Sequence, residues 1–231
     1  METQDLMLEP LKFGDLCGRV DAKSLSWGTF LDKSKWPRGA WDDEPDRIEW
    51  RDPKTGMPCL MLRHTRNGNW CGYIALPADH PWIGQNIYRL STDGTELTAE
   101  DSWEDPRALK IHGEITFGPA KCQPAYTPEE RERLHDPAPD WHRVCHTVQP
   151  GESDDVRWIG FDCGHGGYHD PDLEPGNDSW DHDRATYRDV DYVINWCARL
   201  AAQAQQAAEA VAARQANADP ENGPGKTPAV P

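Results

Sequence analysis

The sequence predicts an α+β fold: a mostly antiparallel sheet of about five strands, packed by one long C-terminal helix, with long irregular loops. Three observations predict it. Residues 46–77 contain three short strand-like stretches separated by turn signals. Val156-Arg-Trp-Ile-Gly-Phe reads as a buried strand, apolar and β-favouring, with Gly160 allowing close backbone approach. Val190, Val193, Ile194, Cys197, Leu200, Ala201 and Ala204 recur at three- and four-residue spacing, which places them on one helical stripe.

Taken in order, residues 1–45 form an irregular lead-in. Leu6, Leu8, Leu11, Phe13 and Leu16 suit a short amphipathic stretch. Trp27, Phe30, Trp36 and Trp41 follow at uneven spacing in a segment rich in Pro, Gly and Asp, so they pin a loop onto the domain or form an aromatic lid. The domain proper spans 46–216. Arg47-Ile-Glu-Trp-Arg alternates polar and apolar residues, and Pro53-Lys-Thr-Gly56 supplies a turn. Cys59-Leu-Met-Leu-Arg-His-Thr then leads to Asn67-Gly68, a strong hairpin dipeptide, and Trp70-Cys-Gly-Tyr-Ile-Ala-Leu returns as its partner.

Residues 78–110 read as loop and 111–117 as the next strand, with His112 and Glu114 two apart and so on one face. Thr127-Pro-Glu-Glu130 has the pattern of a capping box and starts a short helix that runs to about His135 and stops before Pro137. After the strand at 156–162 comes a loop of Gly, His and Asp, then a helix over about 184–215 capped by Asp183. Beyond Gln203 its stripe weakens to alanine, so this end projects into solvent or meets a partner, including a second copy of the chain. The proline-bearing residues 217–231 read as a disordered tail.

The formal charge of −16, from 24 Lys and Arg against 40 Asp and Glu, argues against general nucleic-acid binding, whose affinity comes from neutralising phosphates. Seven cysteines without a C-x-x-C pair read as reduced thiols rather than a disulfide framework. No basic-then-apolar N-terminus suggests a signal peptide, and no apolar run approaches the ~20 residues that span a bilayer, so the expectation is a cytoplasmic protein without a membrane partner.

Candidate chemistry concentrates at four places: Asp79-His80, His112 with Glu114, Asp162 with His165, and His169-Asp170. Oxygen and imidazole ligands at strand ends suit one divalent metal (zinc, manganese or magnesium) held by His112, Asp162 and His165, with Glu114 or His80 activating water. The plainer alternative is that His112 and Asp162 bond each other and buried backbone. An H-x-E pair also occurs in zinc deaminases, but the P-C-x-x-C those need is absent. G-x-S-x-G, P-loop and G-x-G-x-x-G patterns are absent too. Trp158, Tyr168 and His169 are candidates for contacting a ligand. The acidic run from Asp170 to Asp183 lacks calcium-loop spacing and reads as a solvated loop.

Gly72-Tyr-Ile-Ala-Leu-Pro-Ala-Asp-His-Pro, His112-Gly-Glu-Ile-Thr-Phe, Trp158-Ile-Gly-Phe-Asp-Cys-Gly-His and Tyr187-Arg-Asp-Val-Asp-Tyr-Val, in that order over roughly 70–200, resemble small proteins of tailed bacteriophages and prophages. That family has H-G-G-[LI]-T and F-D-x-x-H-x-G-D; here Glu114 replaces the second glycine, and Tyr168-His169 intervene before Asp170. The resemblance implies a phage accessory protein in a bacterial cytosol and supplies no mechanism. Three functions follow as expectations. One is a metal-assisted hydrolase of a small phosphorylated or nucleotide-like molecule. Another is a non-catalytic protein that sequesters a small nucleotide-like ligand, such as a host defence signal. The last is a structural or partner-binding protein that uses its helix end.

Overall fold

The computed structural model describes residues 11–19, 25–65, 68–101, 104–134, 139–164 and 187–218. Its centre is one antiparallel sheet of six strands: β1 (Leu25–Gly28), β2 (Arg47–Arg51), β3 (Pro58–Arg63), β4 (Trp70–Pro77), β5 (Phe117–Ala120) and β6 (Val156–Asp162), in the order β1-β2-β3-β4-β6-β5. Helix α1 (Phe13–Arg19) and the short α2 (Pro128–Arg133) are peripheral, and α3 (Val190–Ala218) crosses one face of the sheet. The expected α+β architecture with a long C-terminal helix is therefore present, with one strand more than the sequence suggests.

The additional strand comes from the stretch read as lead-in. Leu25 pairs with Trp50 and Trp27 with Ile48, which makes β1 an edge of the sheet. Residues after it are tied in by a buried ion network. Asp46 accepts the Phe30 and Leu31 N–H groups at 2.6 and 2.8 Å and pairs with Lys33 at 2.8 Å and Arg63 at 3.1 Å. Glu44 pairs with Arg63 at 2.7 Å, accepts from the Tyr187 hydroxyl and Trp70 Nε1, and accepts the Val190 N–H at 3.1 Å. Arg63 is wholly buried and its guanidinium lies 4.3 Å over the Trp70 ring. One set of charges thus joins the lead-in, the sheet and the start of α3.

The meander 46–77 forms as its turns predict. Asp52 takes the Thr55 N–H at 2.8 Å in the first turn, where Gly56 has φ +72°, and Gly68 has φ +70° in the second. Both are backbone conformations that glycine adopts at low cost. Thr127 and Glu130 close the expected capping box on α2, which ends at Arg133. Helix α3 begins at Val190, later than expected: Asp189 caps it by accepting the Tyr192 N–H at 2.8 Å, and Asp183 lies outside the described residues.

The expected strand over 111–117 is not formed. Residues 111–116 are irregular, with Gly113 at φ +60°, and β5 begins only at Phe117. Pairing of β5 with β6 is itself interrupted between Phe117 and Ala120, where Pro119 has no N–H to donate. Gly118 is needed there, since a Cβ would sit 2.0 Å from the Trp158 carbonyl oxygen.

Strand alternation sorts the core into two faces. Ile48, Trp50, Cys59, Met61, Trp70, Ile74, Ile159 and Phe161 face α3, where Val193, Ile194, Cys197, Leu200, Ala201 and Ala204 have no exposed surface. Gly72 allows the contact: a Cβ would meet the Phe161 ring at 2.6 Å and Cys197 Sγ at 2.8 Å. The other face, with Leu60, Leu62, Cys71, Tyr73, Ala75, Val156 and Trp158, is covered by irregular chain around Val144.

Candidate functional site

The sequence-derived candidates fall on different sides of the sheet. His112 packs on the α3 side, with its Nδ1 2.9 Å from the Tyr192 hydroxyl and its ring 6.2 Å from Phe161 and 6.4 Å from Trp196. Asp162 pairs in register with Cys71, while its neighbour Phe161 pairs with Gly72 on the α3 side. Asp162 therefore faces away from α3, where its Oδ1 accepts the Gly164 N–H at 2.9 Å. The sheet backbone separates the two groups, whereas a shared ion would need both within about 2.0–2.2 Å. His112 and Asp162 are not brought together, either as metal ligands or as a direct pair.

Glu114 is exposed while His112 is buried, because the chain turns at Gly113 instead of continuing as a pleated strand. His80 is buried with both ring nitrogens engaged: Nδ1 accepts the Trp82 N–H at 3.2 Å, so Nε2 carries the proton and donates to the Ala204 carbonyl at 2.9 Å. Burial pushes its pKa down, and the Ala204 carbonyl bond offsets part of the shift. It fastens the loop after β4 to α3, roughly 12 Å along the helix from Trp196 at 1.5 Å per residue. Trp158 has no exposed surface and contributes to the core. His165, Tyr168 and His169 lie outside the described residues.

A different cluster occupies the face away from α3. The chain around residues 140–147 lies over this face because Arg47 holds its backbone: the guanidinium donates to the carbonyls of Trp141 and Arg143 at 3.0 Å and of Cys145 at 2.7 Å. Glu49, two residues along β2 and on the same face, accepts the Thr147 N–H at 2.6 Å. Gln123 clamps Val144 from the other side, its N–H donating to the Val144 carbonyl and its side chain accepting the Val144 N–H. Beside these, Cys122 and Cys145 are joined as a disulfide with Cα atoms 4.6 Å apart. Seven reduced thiols were the expectation; two are oxidised, and Cys17, Cys59, Cys71, Cys163 and Cys197 are free. Burial raises the Cys71 thiol to about 12 and pushes Cys59, Cys163 and Cys197 well up, so these four are inert core thiols.

Where the covering chain stops short, a cleft of about 690 Å³ opens at the sheet end formed by β2, β3, β4 and β6. Ala75, Pro77 and Val156 form its floor and Met57 and Pro58 one wall. Its charged groups are Arg51, Asp79, Glu152 and Asp155, and Arg51 is already ion-paired with Glu152. His146 also lines it, with its ring 5.6 Å from Trp158. His146 is 8% exposed, and its Nδ1 is buried without a hydrogen-bond partner among the described residues. Burial, reinforced by the Arg51 charge, lowers its pKa, and the nearby carboxylates of Glu49 and Glu152 offset part of the shift. One ligand atom each from Cys122, Cys145 and His146 lie within 4.8 Å of one another, a group that could hold a metal were the sulfurs not bonded together.

Sequence reasoning missed this cluster. Cys122 and Cys145 are 23 residues apart with no ligand-motif spacing, and Arg47 recognises backbone carbonyls, which no residue pattern announces. The adjacency of Cys145 and His146 was the one visible signal. No family model matches the chain, and neither a curated protein nor a solved structure matches it significantly. No helix among the described residues is long and apolar enough to cross a membrane.

Proposed function

We propose that this chain is a non-catalytic binding protein, of the accessory kind its resemblance to tailed-phage proteins implies, and that it takes a small amphipathic cation in the cleft beside His146. The lining of that cleft carries the reading. It sets three carboxylates (Asp79, Glu152 and Asp155) beside one guanidinium, Arg51, over an apolar floor. Glu152 is paired with Arg51 and Asp155 with Arg157 at 2.6 Å, which leaves Asp79 as the carboxylate without an ion pair among the described residues. An ammonium head supplies counter-charge at the rim while an apolar body covers Ala75, Pro77 and Val156. A phosphorylated ligand would find Arg51 as the one cation of the lining, and would have to displace Glu152 from it, or draw Arg157 away from Asp155, with Asp79 adding repulsion. This favours a cation over a nucleotide-like ligand. Binding is favoured over metal-assisted hydrolysis because that mechanism draws on His112 and Asp162, which face opposite sides of the sheet.

Thermal unfolding of the full chain with tyramine or with adenosine monophosphate tests this. Tyramine should raise the midpoint with concentration, since a ligand that binds only the folded state adds about 2.7 kcal/mol at one hundred times its Kd. Replacing Glu152→Gln and Asp155→Asn together should abolish the shift. A response to the nucleotide alone would reverse the charge assignment, and a flat response to both would remove the cleft as a binding site for either class.

A further inference from the structure

We infer that Cys122, Cys145 and His146 form a redox-gated zinc site, closed by the disulfide in the oxidised chain and able to take one ion after reduction. The three side chains already offer one ligand atom each within 4.8 Å. Two thiolates and an imidazole are the donor set that selects zinc over magnesium, manganese or calcium. Zinc with two thiolates is formally neutral, which suits a half-buried position beside Trp158. His146 provides the second observation: it is more than nine-tenths buried, and its Nδ1 has no hydrogen-bond partner among the described residues. An ion coordinated at that nitrogen would relieve the penalty of leaving it buried and unsatisfied.

The cluster does not depend on its own covalent bond for assembly. Arg47 holds the Cys145 carbonyl at 2.7 Å, and Gln123, next to Cys122, is doubly bonded to Val144, next to Cys145. These contacts keep the two cysteines opposite each other once the Sγ–Sγ bond is broken. That bond must break first, because tetrahedral zinc with Zn–S near ~2.3 Å holds its sulfurs roughly 3.8 Å apart. A dithiol reductant supplies two electrons and two protons; the disulfide becomes two thiols and the reductant becomes a disulfide. Zinc then binds as each thiol releases its proton to water and forms an Sγ–Zn bond, with a neutral imidazole nitrogen as third ligand. The fourth position is left for water. The inference is independent of which organic ligand the cleft takes.

The full chain, reduced with a phosphine that does not chelate metals and then freed of it, should bind one cobalt(II) ion, with thiolate-to-cobalt charge-transfer and tetrahedral d–d bands. The oxidised chain should show neither. Zinc should displace the cobalt, and His146→Gln should weaken binding by at least about 100-fold, no less than the loss of an outer-shell partner causes. A Cys17→Ser variant should behave as wild type, and the double variant Cys122→Ser/Cys145→Ser should lose the charge-transfer band. The site is refuted if the reduced chain binds no cobalt, if oxidised and reduced chains bind alike, or if the double variant retains the spectrum. The first two comparisons use the unaltered protein, so they hold even where a variant folds poorly.

Discussion

The two faces of this sheet are covered in different ways. Towards α3 a regular element meets regular strands, and the interface closes to the point where a single Cβ on Gly72 would strike both Phe161 and Cys197. Away from α3 the cover is irregular chain, suspended from Arg47, Glu49 and Gln123 by hydrogen bonds to its backbone. The first arrangement fills space because a helical stripe and a pleated face repeat along their lengths. A loop held at a few carbonyls does not repeat, and it leaves a cleft, an imidazole nitrogen with no hydrogen-bond partner among the described residues, and a disulfide. The candidate groups lie on the less regular face for that reason.

Two arginines, one per face, allow the contrast to be measured. Arg63→Met should cause the largest loss, about 3–5 kcal/mol in a denaturant titration, because Asp46 and Glu44 would keep their buried charges without their central partner. A loss below about 1 kcal/mol would mean that Lys33 alone compensates Asp46. Arg47→Met should cost less, about 1–3 kcal/mol, since it frees three neutral carbonyls and the single, partly exposed carboxylate of Glu49 rather than two more deeply placed charges. Its effect should also be local: hydrogen exchange should accelerate over 141–147 while α3 amides keep their protection. Equal acceleration in α3 would show that the two covers unfold as one unit.

The smallest expected effect is one of pH. Burial lowers the His80 pKa below the ordinary histidine value of 6.5, so the unfolded chain takes up the proton more readily than the folded one. Stability from this residue is therefore complete above about pH 6.5 and declines as the pH falls towards the folded value. His80→Gln should flatten the acid side of the melting-temperature profile slightly. His142 and His146, whose values are also lowered by burial, contribute in the same range, and Asp93, Asp105 and Asp155, held below the usual carboxylate range by hydrogen bonds, contribute at lower pH. A profile unchanged by the substitution would show that His80 titrates alike in both states.

Legibility in the sequence follows the same division. The α3 stripe, the meander turns and the Thr127 capping box were readable because each rests on side-chain periodicity or on a residue with a specific backbone role. The edge strand β1 was not, since Leu25-Ser-Trp-Gly28 is too short to show alternation. The stretch from His112 to Phe117 showed a false alternation that the positive φ of Gly113 breaks. The candidate site was the least legible part. Pairing His112 with Asp162 treated placement at strand ends as a guide to proximity, whereas the parity of β6 decides which face a residue occupies. The half-buried Cys122 and Cys145 and the buried His146 meet because backbone contacts fold two loops together.

The sheet order carries a consequence for synthesis. Strand β4 is completed at Pro77, yet its neighbour on one side is β6, whose first residue, Val156, pairs with that same Pro77. A ribosome working at about 5–20 residues per second needs several seconds to make the roughly 80 residues between them. Throughout that interval the β1–β4 meander can form, with β4 as a bare edge that is apolar on both sides and, until α3 emerges later still, uncovered on the face it will bury. Such an edge is a template for any other nascent strand. Yield of this protein in a cell should therefore depend on the speed of translation between 78 and 155 and on chaperones that occupy that edge, more than on the stability of the finished fold.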